Sequence, residues 1–168
     1  GSINPTGGPD LFGIAIFADP GNPDVNIAHA SQGGLGLPDE AYYREPHYEP
    51  IRRAYAAMVA AQLINAGYAH EQATADELAS RLLTLETHIA KHHWDNVATR
   101  DSVKTYNPTG FDEFAAALAH FGLDSWVDAW QSAYEATSSA ELQPVDLRQA
   151  LQRVNVCEPS FFTGLDAL

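Results

Sequence analysis

Leu78, Leu82, Leu85 and Ile89 recur at steps of four, three and four residues, which is the period of one helix face and does not fit the two-residue repeat of a strand. A segment patterned this way is committed to an α-helix whose apolar stripe has to be covered. Thr74, with Glu77 three residues on, reads as a capping box and puts the helix start there. Upstream, Pro50 can open a helix in which Ile51, Tyr55, Met58, Val59, Gln62 and Leu63 share a stripe, and Gly67 offers the stop. Two further amphipathic segments follow. One runs from Phe111 to Phe121 and closes at Gly122; the other starts at Asp124, carries Trp126, Val127, Trp130 and Tyr134, and loosens at Thr137-Ser138-Ser139.

The ends of the chain are patterned differently. Residues 1–10 are rich in glycine and proline and read as a loop. Residues 11–30 hold two short runs, Leu11 to Phe17 and Val25 to Ala30, across the turn cluster Asp19 to Asp24, which predicts a β-hairpin. Residues 39–168 are expected to be helical apart from an extended Val154 to Cys157, with a short helical stretch at Pro144 to Gln152. A last helix starts at Glu158-Pro159-Ser160 and carries Phe161, Phe162, Leu165 and Leu168 on barely two turns. So short a helix is marginal alone; the expectation is that missing sequence buries these residues and that the chain is a piece of a longer one. The predicted fold is mainly α, antiparallel helices with a small N-terminal β-hairpin.

Composition narrows the function classes. Asp and Glu number 22 against 9 Lys and Arg, a net charge of −13, which excludes a generic nucleic-acid binder because phosphate contacts need clustered cations. No apolar run spans a bilayer. The single cysteine, Cys157, permits no internal disulfide and favours a cytoplasmic over a secreted protein. The excess of arginine over lysine in an alanine-rich chain points to a bacterium.

Few residues invite chemistry. His88 and His92 would share a helix face, with His93 beside them, but the glutamate of a zincin helix is absent, since Ile89 follows His88. The bland alternative is a polar helix end. Glu86 lies close to the apolar stripe, so its charge has to be paired or shifted. It is either a perturbed acid–base group or, as favoured here, half of a structural ion pair with Arg53 or Arg100. The QGGLG stretch lacks the strand and helix of a phosphate cradle and reads as a connection needing positive φ near Gly34. Cys157 has no neighbouring base in sequence and reads as a packed thiol.

Gln32-Gly33-Gly34-Leu35-Gly36-Leu37-Pro38 followed by Tyr42-Tyr43 resembles the Q-x-G-L-x-L-P…YY segment of the neprilysin-type zinc metalloendopeptidases, in their helical N-terminal, cavity-covering region. Further likenesses follow in order: Asp19 and Asn22 in the preceding turn, where Pro23 departs from a common small polar residue; Leu85-Glu86…Ile89-Ala90; Arg100-Asp101 and Tyr106-Asn107; Trp126; and Val154 to Phe162. The resemblance implies that these motif residues are structural. It also implies a parent protein that hydrolyses small peptides with zinc, using an H-E-x-x-H helix and an E-x-x-x-D element. Neither motif occurs in these 168 residues, so the chain is expected to hold no catalytic group and no cofactor of its own. Its implied partner is the catalytic domain of the same parent, and its role is to wall the cavity and restrict access. The alternatives are a free-standing helical protein- or peptide-binding module and a histidine metal-binding protein.

Overall fold

Phe12, at the start of the first strand, meets four aromatic rings, Phe114, Phe121, Trp126 and Phe162, with centroids 5.4–6.5 Å away, in the tilted and edge-on arrangements that aromatic quadrupoles favour. The computed structural model describes residues 11–137 and 145–168. The expected 1–10 loop, the loosened Ser138-Ser139 and the helix start at Pro144 lie outside the described residues. The chain divides into two compact units, residues 1–33 with 97–168, and residues 34–96.

The first unit is built on a four-stranded sheet ordered β1-β2-β4-β3. Strands β1 (Phe12–Asp19) and β2 (Asn22–Gln32) form the expected hairpin, in a register running from Phe12 opposite Gln32 to Ala18 opposite Asn26. The connection is tighter than the six-residue turn cluster implied, with an irregularity at Ala18/Asp19. β4 (Arg153–Val156) lies parallel to β2, Ala28 opposite Val154, and β3 (Pro108–Gly110) lies antiparallel to β4. The segment after residue 39 therefore carries two strands among its helices. Around the sheet are α4 (Phe111–Ala116), α5 (Leu123–Thr137), α6 (Leu147–Ala150) and α7 (Pro159–Asp166). Gly122, at φ +73°, closes the turn between α4 and α5, and Asp146 caps α6 by accepting the Gln149 N–H.

The last helix departs from its expectation. Phe161 and Phe162 are fully buried and Leu165 nearly so, and Phe162 packs edge-on against Phe114 at 5.1 Å as well as against Phe12. The unit itself covers these residues, because β1 brings Phe12 and α4 brings Phe114 onto the helix, so their burial needs no missing sequence.

The second unit contains α1 (Ala41–Arg44), a 3₁₀ turn at Pro46–Tyr48, α2 (Glu49–Asn65) and α3 (Gln72–Ala90). α2 and α3 pack as a helical hairpin whose connection includes Gly67 at φ +78°. The seam is built from small residues, Val59, Ala60, Ala69, Ala75 and Ala79, flanked by Tyr55, Leu63, Ile64 and Leu78. This corrects the leucine stripe: Leu82 and Leu85 are 37 % and 46 % exposed, whereas Ala75, Ala79, Glu86, Ile89 and Ala90 are buried. Alanine allows closer approach of the two helices, so the buried face turns toward the alanine row and the leucines fall to its side. Ile51 and Met58 of α2 are likewise exposed. Thr74 is not the cap: α3 starts at Gln72 after an extended Glu71, with no side-chain capping bond at Glu71, and Thr74 lies inside the first turn.

Replacing Phe162 by Ala empties the centre of the aromatic cluster and is expected to destabilise the first unit by about 3–5 kcal/mol. Urea unfolding followed by tryptophan fluorescence reads the change, and a loss below about 1 kcal/mol would show that the cluster is not a packed core.

Candidate functional site

The Gly34–Pro38 segment carries leucines but little regular structure of its own, and it is held by side chains from all three helices of the second unit. Glu86, on α3, is only 6 % exposed. Its Oε2 accepts a hydrogen bond from the Tyr43 hydroxyl and its Oε1 one from the Tyr55 hydroxyl, both at 2.7 Å. The Tyr43 oxygen in turn accepts the backbone N–H of Leu37 at 2.9 Å and of Gly36 at 3.1 Å. One buried carboxylate thus holds two tyrosines, and one of those tyrosines holds the loop. Leu37, Tyr43 and Ala90 form a small buried cluster, with Leu35, Tyr42, Tyr55 and Leu83 against it.

This corrects the expected ion pair. Arg53 instead pairs with Glu49 at 2.7 Å, and Glu86 is satisfied by neutral donors, which avoids burying a second charge. Burial raises both tyrosine hydroxyls above their ordinary value of 10.0, and the neighbouring carboxylate adds to the shift, partly offset at Tyr43 by the Leu37 N–H. They therefore stay protonated as donors at neutral pH. Gly34 adopts φ +81°, as the glycine cluster required. Gly36 is needed for a different reason: a Cβ there would collide with the Tyr55 hydroxyl. Pro38 follows Leu37 before α1, and Tyr42 stacks on Tyr48 with centroids 4.0 Å apart, while its carbonyl accepts from Arg52.

A second network ties the first unit. Asp19, fully buried at the hairpin turn beside Asn22, accepts the Gly21 N–H at 2.9 Å and the Tyr106 hydroxyl at 2.8 Å, and Arg153 of β4 sits 2.8 Å from its other oxygen. The Gly21 N–H, the Tyr106 hydroxyl and then Arg153 hold its carboxyl below the ordinary aspartate range, against the opposing effect of burial. Asn107 donates its backbone N–H to Asn155 Oδ1 at 2.6 Å and its side-chain amide to the Lys104 and Val156 carbonyls. Arg100 ends a 3₁₀ turn, and Asp101 caps the following turn by accepting the Val103 and Lys104 N–H groups. The Gln32 N–H donates to the buried Glu158 at 2.9 Å, and Trp126 packs on Phe12 and Trp130.

Tyr55, Arg153, Asn155 and Glu158 were not singled out as site residues from the sequence. Each answers a partner far away in sequence; locally Tyr55 reads only as part of a helix stripe, Asn155 as part of an extended run and Glu158 as part of a helix start.

The histidines lose their premise. α3 ends at Ala90, so His92 and His93 stand in the turn beyond it and do not share a helix face with His88. Among the described residues no group of three or more His, Cys, Asp or Glu side chains converges as a metal site. Among those residues also, no helix is long and apolar enough to cross a membrane.

The chain matches the N-terminal model of Peptidase family M13 over residues 1–168 and belongs to that family. The neprilysin-type reading is thereby established. A search of curated proteins found no match. Among solved structures, an inhibitor-bound crystal structure of the Mycobacterium tuberculosis zinc metalloprotease Zmp1 is 27 % identical, with TM-score 0.81 over 98 % of this chain and 23 % of that one. A cryo-EM structure of the same protease in its open state is 28 % identical, with TM-score 0.76 over 95 % of this chain and 22 % of that one. The chain thus spans less than a quarter of the length of these proteins.

Tyr55→Phe removes one donor from Glu86 and is expected to cost about 1–2 kcal/mol; Tyr43→Phe, which also strips two N–H groups of their acceptor, should cost more. Chemical denaturation of the two variants checks the order, and equal, near-zero losses would mean the clamp is not formed. Because the Asp19 pKa is lowered on folding, its contribution is present above the unfolded value of 3.8 and is lost as pH falls through the folded value. Asp19→Asn should therefore flatten the acid limb of the stability profile, as read by thermal melts from neutral pH down to about pH 2; an unchanged limb would exclude Asp19 as its source.

Proposed function

We propose that this chain is the non-catalytic, mainly helical portion of the N-terminal domain of a zinc metalloendopeptidase, walling the substrate cavity so that only small peptides enter. The observation that carries the reading is the family match along the whole chain in a sequence without H-E-x-x-H or E-x-x-x-D. The zinc and the peptide-cleaving groups then belong to the catalytic domain of the parent chain, which is the partner of this one, and peptides are the parent's substrates.

On this reading the motif residues act as fasteners. The Glu86 clamp fixes the Gly34–Pro38 segment against α3, and Asp19, Tyr106 and Asn107 fix the hairpin turn and the strand ends. A wall that selects by size has to resist deformation, and buried polar networks supply rigidity more readily than loose apolar contact. The proposal includes a bacterial, cytoplasmic parent, supported by the lone cysteine and the arginine excess.

The test compares the purified full-length parent with this chain on a short fluorogenic peptide, with and without chelator. The parent is expected to cleave in a chelator-sensitive manner and this chain to be inert; cleavage by the chain alone overturns the non-catalytic assignment. Equal rates of parent cleavage on short peptides and on a large unfolded protein would overturn size restriction.

A further inference from the structure

Every lysine and arginine of the chain is exposed except Arg52, which is half-buried on α2. Arg44, Arg53, Lys104, Arg148 and Arg153 each pair with an Asp or Glu. Arg52 does not, although acidic residues outnumber basic ones 22 to 9. Among the described residues its only partners are the carbonyls of Tyr42 at 2.6 Å and Glu45 at 3.0 Å, and both accept from Nη1. We propose that the remaining edge of this guanidinium, with the α3 residues beside it, binds the carboxylate of an aspartate or glutamate side chain carried by a peptide.

Arg52 lines a pocket of about 260 Å³ in the second unit, together with Ser80, Leu83, Thr84, Thr87 and His88 of α3. Ser80, Thr84 and His88 are exposed, and Arg52, Leu83 and Thr87 half-buried, so the lining is open to a ligand. No Asp or Glu lines it. Glu86 lies behind the pocket's Tyr43 wall, with its oxygens taken up by the Tyr43 and Tyr55 hydroxyls. The volume is below the roughly 300–1,000 Å³ of small-molecule sites and suits one side chain.

The two carbonyls use both hydrogens of Nη1. That leaves the Nε–H and an Nη2–H, which run parallel along one side of the planar guanidinium and match the two oxygens of a carboxylate. The Thr84 and Thr87 hydroxyls donate to the carbonyls of Ser80 at 2.9 Å and Leu83 at 2.6 Å. The Ser80 hydroxyl and the His88 ring, which have no partner among the described residues, remain as further donors, and Leu83 offers apolar contact to the ligand's methylenes. A cation would meet Arg52 with no lining carboxylate to offset it, and an apolar ligand would desolvate the guanidinium without supplying an acceptor. The field of a chain with net charge −13 opposes any anion at long range, but physiological salt screens it over about 8 Å, whereas the two-point bond acts at contact. The site belongs to this chain and does not depend on the parent's peptidase activity.

The experiment is a heteronuclear NMR titration of the ¹⁵N-labelled chain with acetyl-Ala-Glu-Ala-amide, with the same peptide carrying glutamine, and with inorganic phosphate. The glutamate peptide is expected to shift the amides of Arg52, Ser80, Thr84 and His88 saturably, and the glutamine peptide to bind at least about tenfold more weakly. Arg52→Lys keeps the charge but not the fork, and is expected to weaken glutamate binding several-fold. If that variant fails to fold, His88→Glu, at an exposed position, sets a competing carboxylate at the rim and is expected to abolish binding while leaving the spectrum away from the pocket unchanged. Equal affinity for both peptides, saturable shifts only outside the pocket, tighter binding of phosphate than of the glutamate peptide, unchanged glutamate affinity in a folded variant, or no saturable shift at millimolar peptide overturns the proposal.

Discussion

A carboxyl group taken out of water has to be given donors by the protein, and the second unit is arranged around meeting that demand at Glu86. Two hydroxyls come from residues on separate helices, Tyr43 on α1 and Tyr55 on α2, so the bond network joins all three helices through one side chain. Tyr43 also orders an irregular segment, because its oxygen faces the Gly36 and Leu37 N–H groups. An apolar residue at 86 could fill the volume, but it would leave two phenols and, through Tyr43, the loop without direction. The polar group specifies one arrangement of an alanine-lined seam that apolar contact alone would define loosely.

The first unit solves a different problem, that of a small mixed sheet with helices around it. Its core is aromatic: Phe12 from the edge strand is enclosed by rings from α4, α5 and α7 and the turn before α5. The polar ties sit at the margins of this core. Asp19 joins the hairpin turn to Tyr106 and Arg153, and Asn155, buried in β4, joins that strand to Asn107 and to the Thr105 carbonyl. Apolar packing fixes the thickness of the unit, and the buried amides and carboxylates fix which strand lies beside which.

What could be read from the sequence was what is local. Helical period, the stops at Gly67 and Gly122, the hairpin and the extended run near Val154 each depend on a few neighbouring residues, and the motif order revealed the family. Period alone could not say which flank of α3 is buried, because Leu82 and Leu85 score as core by hydrophobicity while the closer packing of Ala75 and Ala79 decides the face. Thr74 and Glu77 made a valid capping pattern that the helix simply overran. The partners of Glu86 were illegible for another reason: a carboxylate accepts from arginine and tyrosine alike, and Tyr43 and Tyr55 lie 43 and 31 residues away. The same distance hid the neighbours of Phe162, whose ring meets Phe12 and Phe114.

The order of the sheet also sets the order of folding events. β2 waits for β4, its parallel neighbour, while residues 34–96 form a unit of their own in the interval. On a ribosome the helical hairpin is complete and able to collapse long before Arg153–Val156 has emerged, whereas Phe12 has to remain without Phe162 until that later segment has followed. During synthesis β1, which carries a charge only at its turn end in Asp19, is therefore a strand with its main aromatic partners absent. That interval, rather than the finished protein, is when this strand is most exposed to pairing with the wrong neighbour.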